Sequence, residues 1–287
     1  VNRIKFFETT SSTQDEARNW LKANKGEKEF LWFHSQKQSA GRGRQGREWV
    51  DSGKNELIKS SLLVSVGMPF ASFEKNNPPV NWSLLPLVSG WVLWSTVCKI
   101  IKSTNSSVEL SFEDLLLKWP NDLGIIGPAG GFRKMAGILC ERFGAQAPEH
   151  IVGWGVNIKP HGSKLDSPLL FFSEFFDHTP PETSFVLGEL MENFEATLQK
   201  WKSNPEDFEL CFLEDLKETA MKQYWGIEGF TSNHEKCKAI DLDDAGNLIV
   251  ESFARPGTIL TLRAGEFQLS NGLSKSSKLT KSNLQSS

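Results

Sequence analysis

The spacing of apolar and polar positions divides the chain into strands and helices. Residues 3–7 (RIKFF) read as a short strand, 30–34 (FLWFH) as a second and 62–66 as a third. Between the first two, 11–24 (SSTQDEARNWLKAN) carries an apolar face of Ala17, Trp20 and Leu21. Thr13 followed by Glu16 predicts a capping box at the start of that helix. Residues 71–81 read as a loop, and 84–101 (LLPLVSGWVLWSTVCKII) as a long apolar helix. Three strand candidates follow. The first, 114–126 (DLLLKWPNDLGII), is interrupted at Pro120, so that 119–122 bulges or turns. The turn GPAGG leads to a strand over 133–143, and GAQAPE to another over 150–159. In that last strand Val152, Trp154, Val156 and Ile158 share one face. Ile151, Gly153, Gly155 and Asn157 share the other, and two glycines on one face imply that something packs tightly over them.

Residues 160–184 read as an irregular excursion rich in Pro, Ser and Phe. Amphipathic helices are expected over 185–201 and 206–220. From about 223 the character changes to short alternating pieces separated by DDAGN and RPG, the pattern of a small β-barrel or sandwich. Residues 271–287, rich in Ser, Lys and Asn, read as a disordered tail. The expected domains are 1–222, 223–270 and that tail.

Composition narrows the function. The 287 residues suffice for a substantial core and two domains. A net charge of −3 argues against an electrostatic DNA binder. The four cysteines are far apart, and the five histidines show no HExxH spacing, so neither a zinc site nor a disulfide framework is expected. Reduced thiols fit a cytoplasmic protein, with Cys98 and Cys140 in the core. The first ten residues hold no apolar signal core. The run 84–101 is long enough to raise a membrane span, but Pro86, Ser89, Gly90, Ser95, Thr96 and Lys99 favour a buried helix.

Against that acidic background, QKQSAGRGRQGREW (36–49) is a local basic feature. Glycine permits positive φ and close approach to a ligand, and arginine supplies planar donors for carboxylate or phosphate. Alone it reads more simply as a solvated turn. Other candidates are Ser12, Thr13 and Gln14 at a helix start, the stretch Lys118, Trp119, Pro120, Asn121 and Asp122, then Lys134 and Asn157. Each alone has a simpler reading too, as helix cap, turn residue or edge-strand lysine. If Arg42, Arg44, Lys118 and Lys134 converge, they suit a polyphosphate and a carboxylate being joined, where developing negative charge must be neutralised. Asp122 and Asn157, with Asn121, offer oxygens to a magnesium ion or its water shell. No P-loop and no GxGxxG before a helix is present.

The order SSTQ, QSAGRGRQGREW, LKWPNDL, RKMAGILCE, GWGVNI and GEFQL resembles the biotin–protein ligases over about residues 5–270. The resemblance implies an α+β fold: a mixed sheet with helices, like class II aminoacyl-tRNA synthetase catalytic domains, followed by an SH3-like β-barrel. It implies that ATP and biotin, with Mg²⁺, form biotinyl-5′-AMP and that biotin passes to a lysine of a biotin carboxyl carrier domain. By the same resemblance Ser12, Thr13, Gln14 and Gln38 line the biotin site, and Arg42, Gly43 and Arg44 close over it. Lys134 and Arg42 are the implied catalytic groups, and Trp49 helps to bury the intermediate. Arg44, Lys118, Trp119, Asn121, Asp122 and Asn157 surround the nucleotide, with Asp122 and Asn157 as metal candidates.

Three positions depart from the family pattern. Gln14 stands where asparagine is common, Glu48 where a basic or neutral residue often occurs, and Ser270 where the best-known bifunctional members place an arginine near ATP. Those members also carry an N-terminal helix-turn-helix. The sequence given starts almost at the first catalytic strand, so it is expected to be a short form without a repressor role, DNA partner or membrane partner. Monomer and homodimer both stay open. The alternatives are a lipoate ligase or octanoyltransferase on the same fold, a non-catalytic biotin-binding protein, and a nucleic-acid module built on the Gly/Arg run. The RRxSGGG-type loop of the lipoate enzymes is absent, while GRGRxGR is present.

Overall fold

The computed structural model describes residues 3–47, 49, 61–69, 72–73, 79–104, 108–127, 131–144, 148–160 and 169–270. Glu48 and the expected tail 271–287 lie outside the described residues, as do parts of the loop 71–81, of the excursion 160–184 and of the turns GPAGG and GAQAPE.

β1 (Ile4–Thr10) runs parallel to β2 (Leu31–Gln38) with α1 (Thr13–Ala23) as the crossover. β3 (Ser61–Met68), β4 (Leu116–Lys118), β5 (Asp122–Ile126), β6 (Phe132–Phe143) and β7 (Glu149–Asn157) complete a seven-stranded mixed sheet in the order β1-β2-β3-β7-β6-β5-β4. The long helix α2 (Leu85–Ser103) and α3 (Thr183–Ser203) cover one face. There Trp32 stacks on Trp154 at 5.7 Å, and Phe194 meets Trp154 edge-on. The apolar run 84–101 is therefore a core helix, buried at Leu85, Val88, Val92, Leu93 and Val97 among others. α1 lies on the opposite face, closing a smaller cluster with Ala17, Leu21, Phe33 and Ile151.

Two local expectations are corrected. The stretch 114–126 turns at 119–121, one of the two readings expected there, but counts as two strands and not one: β4 and β5 form a hairpin whose register pairs Lys118 with Asp122. The 119–121 segment makes the turn, with a cis Trp119–Pro120 bond. The capping box at Thr13 is also absent. The N-cap is Ser12, without a side-chain cap bond, and Glu16 instead accepts from Thr10 Oγ1 at 2.6 Å. β2 runs on to Gln38, beyond the expected 30–34, and so delivers Gln38 beside Thr13.

After α4 (Pro205–Glu218), strands β8 (Glu228–Thr231), β9 (Lys236–Leu242), β10 (Leu248–Ser252), β11 (Ile259–Leu262) and β12 (Phe267–Leu269) form a separate antiparallel sheet in the order β11-β10-β9-β8-β12. This small sheet stands where the barrel is expected. The β9–β10 turn docks it to the larger part. Trp119 Nε1 donates to Gly246 O at 2.9 Å, and Ser83 Oγ to Ala245 O at 2.9 Å. Gly246 holds φ at +76° with Leu87 against it, a turn geometry that favours glycine.

Candidate functional site

The floor of the site is a row across the sheet with two glycines at its centre. Asp122, Gly137, Gly155 and Leu63 are successive register partners on β5, β6, β7 and β3. Gly137 and Gly155 leave the backbone bare, and the Trp49 indole lies on it. A Cβ at Gly155 would stand 2.5 Å from Trp49 Cε2. On the next row Gly153 faces Gln14 and Ser65. The tight packing expected over the β7 glycines is thus supplied by Trp49 and Gln14.

One end of this pocket is polar. Thr13 N donates to Gln38 Oε1 at 2.7 Å, and Thr13 Oγ1 lies 2.7 Å from Ser65 Oγ. Gln14 Nε2 donates to Leu139 O at 2.8 Å, while its Oε1 is buried with no hydrogen-bond partner among the described residues. Ser12, Thr13, Gln14 and Ser65 are all buried. Such a cluster can read a small neutral ligand with both N–H and C=O groups. Ser65, Gly137 and the Leu139 carbonyl were not singled out from the sequence. The available signal for Ser65 was a hydroxyl inside an otherwise apolar, wholly buried strand.

Lys134 stands at the other end. β6 carries an extra residue where Leu123 and Gly124 of β5 pair with Ala136 and Lys134, leaving Met135 as a bulge. The bulge reverses the alternation and brings Lys134 onto the face of Gly137. Its Nζ reaches Asp122 Oδ1 at 2.7 Å and lies 5.3 Å from the Trp49 ring centroid. Lys118 Nζ is 3.9 Å from Asp122 Oδ2 and sits over Phe132. Burial pulls Lys118 below its usual value, Asp122 opposes this, and Lys134 and Arg47 add to it. Arg44 Nη1 donates to Asn121 Oδ1 at 2.9 Å, and Asn121 Nδ2 to Ile138 O at 2.6 Å. Burial likewise lowers the Arg44 guanidinium, with Asp122 pulling the other way. Asn157 donates to the Lys134 carbonyl at 3.2 Å.

A wider cleft opens from Lys134 between the β4–β5 hairpin and β12. It is bordered by Arg44, Arg47, Lys118, Phe267 and Ser270, and the Ser270 hydroxyl is buried without a partner among the described residues. Trp119 also borders this cleft, but it is 4% exposed and its indole anchors the C-terminal sheet. Gly43, Arg44, Trp49, Asn121 and Lys134 line both the cleft and the polar pocket.

The Gly/Arg segment is ordered by its own backbone. Trp49 N donates to Gly41 O at 2.9 Å, and Gly43 N to Arg47 O at 2.7 Å. Of its three glycines only Gly46 has positive φ, at +73°; Gly41 is needed because Trp49 O stands 2.7 Å from where a Cβ would be. Arg42 borders the polar pocket, and its guanidinium pairs with Asp15 and Glu141. Cys98 is buried as expected, whereas Cys140 is only partly buried and packs against the core from its edge; desolvation pushes both thiols up to about 12.

Among the described residues no group of three or more His, Cys, Asp and Glu side chains gathers into a metal cage. Asp122 and Asn157 stand beside Lys134, and Asp122 is already paired with it. One carboxylate and one amide do not by themselves make a resident magnesium site.

A model of the biotin/lipoate A/B protein ligase family matches residues 6–157. The chain is 26% identical over 170 residues to the biotin–[acetyl-CoA-carboxylase] ligase of Mycobacterium tuberculosis. That match covers 59% of this chain and 54% of the other, so the chain spans about half the length of this curated relative. Among solved structures, a biotin protein ligase from Aquifex aeolicus in complex with biotin and ATP superposes with a TM-score of 0.68 and 21% identity. It covers 95% of this chain and 100% of that one. The Leishmania major enzyme in complex with biotinyl-5-AMP gives a TM-score of 0.56 at 23% identity, over 92% and 100%. These two likenesses establish the α+β fold expected from the sequence.

Proposed function

Because the chain belongs to the biotin/lipoate A/B protein ligase family, we propose that it is a biotin–protein ligase. It activates biotin with ATP and passes the biotinyl group to a lysine of a biotin carboxyl carrier domain. The observation that carries this reading is the position of Lys134, which lines both the polar pocket and the wider cationic cleft. A ligand with a polar head and an acidic tail would seat its head at Thr13, Gln14, Gln38 and Ser65. Its carboxylate would then reach Lys134.

The chemistry follows from that placement. A carboxylate and a triphosphate repel each other, and Lys134, Arg44 and Lys118 offset the repulsion. The carboxylate oxygen attacks the α-phosphorus, pyrophosphate leaves, and biotinyl-5′-AMP forms. The acceptor lysine amine then attacks the acyl carbon, AMP leaves, and an amide remains. ATP would enter the cleft as its Mg²⁺ complex, its phosphates supplying most ligands and Asp122 and Asn157 the protein oxygens. Trp49 and the Gly/Arg segment, including Arg42, cover the acyl–phosphate junction and exclude water. In this reading residues 1–222 are catalytic, 223–270 close the nucleotide cleft through β12, and the protein works in the cytoplasm.

The hydrogen-bonding character of the polar pocket favours a ureido ring over the apolar dithiolane of lipoate. The test is exchange of labelled pyrophosphate into ATP. Exchange that depends on biotin supports the reading; exchange that depends on lipoate instead, or on neither, overturns it.

A further inference from the structure

Arg42 and Arg44 leave the loop toward different partners. Arg44 reaches Asn121 on the hairpin turn. Arg42 Nη2 lies 2.7 Å from Asp15 Oδ1 on α1 and 3.3 Å from Glu141 Oε2 on β6. The other Glu141 oxygen is held by Arg18 at 2.7 Å, and the Arg18 guanidinium rests 5.5 Å from the Phe143 ring centroid. A continuous charge chain therefore ties the loop to a helix and to the strand beneath it. Neither Asp15 nor Glu141 lines the polar pocket or the nucleotide cleft.

We propose that Asp15 and Glu141 are positioning residues that latch the outer edge of the loop through Arg42. They hold it over the pocket before substrate arrives and between the two chemical steps. The proposal rests on the ligase reading for its consequence in catalysis, but not for the latch itself. An acyl-adenylate is lost when water attacks its acyl carbon, the acyl–oxygen bond breaks, and free acid and AMP leave. A loop tied at both edges keeps water from that carbon. The pairs are partly exposed, so each is weak and screened by salt. That strength suits a lid which must also open for an acceptor lysine. The Arg18–Glu141 pair already joins α1 to β6, so the Asp15–Arg42 contact adds only the fastening of the loop.

The test uses the full chain and the Asp15→Asn, Glu141→Gln double variant. In ligand-free protein, hydrogen exchange at the amides of Gly43 and Trp49 reports opening, because they bond to Arg47 O and Gly41 O. Exchange there should rise about five-fold or more in the variant, as expected for losing weak exposed pairs. Salt at about 1 M, where the screening length is about 3 Å, should raise it in the wild type but not in the variant. With ATP and biotin, the pyrophosphate burst should keep its amplitude while biotin and AMP appear in solution faster. Glu141→Asp, which keeps the charge, should retain the intermediate better than Glu141→Gln. Unchanged exchange at Gly43 and Trp49 overturns the latch. Absence of any burst in the wild type overturns the ligase reading instead, and the exchange data still decide the latch.

Discussion

Lys134 Nζ lies 2.7 Å from Asp122 Oδ1, and the two meet because the Met135 bulge turns Lys134 onto the Gly137 face. A cation at the meeting point of the polar pocket and the wider cleft is held there by a carboxylate and by the face of Trp49. Replacing Lys134 by alanine should lower adenylate formation by about 10²-fold or more, the usual cost of one preorganised donor. Stability should change by no more than about 1 kcal/mol, because the pair is partly exposed. Single-turnover pyrophosphate release and a denaturant titration check the two halves.

Gly155 gives a steric probe of the closed loop. A Cβ there would overlap Trp49 at 2.5–2.6 Å, and Trp49 would have to leave its seat. Gly155→Ala should preserve the fold and bring faster release of free biotinyl-adenylate. Melting temperature and trapped-intermediate hydrolysis separate these effects. A variant that retains the intermediate as the wild type does would show that the seat of Trp49 is not needed.

Trp119 links the two sheets. Trp119→Phe removes the bond to Gly246 O and leaves a carbonyl unsatisfied in a buried contact. A loss of about 1–2 kcal/mol is expected in equilibrium unfolding. Leu248 and Val250, which follow the docked turn, belong to the same buried core cluster as Trp119, so both sheets should unfold together.

His150 gives a pH signature. It is buried, stacked on Trp82 at 4.1 Å, and its Nε2 has no partner among the described residues. Burial, assisted by Arg142, pulls it from 6.5 down to about 4. At higher pH the folded and unfolded states are both neutral here. As pH falls from 6.5 toward 4 only the unfolded state takes the proton, so stability is lost across that window. The loss should be on the order of 3 kcal/mol at most. His150→Phe should flatten this slope in urea titrations at several pH values.

Much of the frame was legible because its signals are local. The alternation of 150–159 marked the face on which Gly153 and Gly155 stand, and its tight cover is present. The helix 84–101 declared itself buried by its polar interruptions. Two kinds of feature were not legible. Thr13 and Glu16 satisfy a capping-box spacing, but the Thr13 hydroxyl turns to Gln38 and Ser65 and the Glu16 carboxylate to Thr10. Lys134 and Gly137 are three apart and would face opposite ways in a regular strand; only pairing with β5 reveals the bulge that reunites them. The glycines of the Gly/Arg segment were read for positive φ, yet only Gly46 has it. At Gly41 the reason is the approach of Trp49, eight residues further along the chain and invisible without the fold.

Under the proposed function this chain joins biotin to a carrier protein through a charge-neutralised junction at Lys134. The direct measurement is incubation with labelled biotin, MgATP and a biotin carboxyl carrier domain, with wild type and Lys134→Ala in parallel. Wild type should place label on the acceptor lysine, and the variant should place far less. An unlabelled acceptor with wild type, or equal labelling by both, would contradict it.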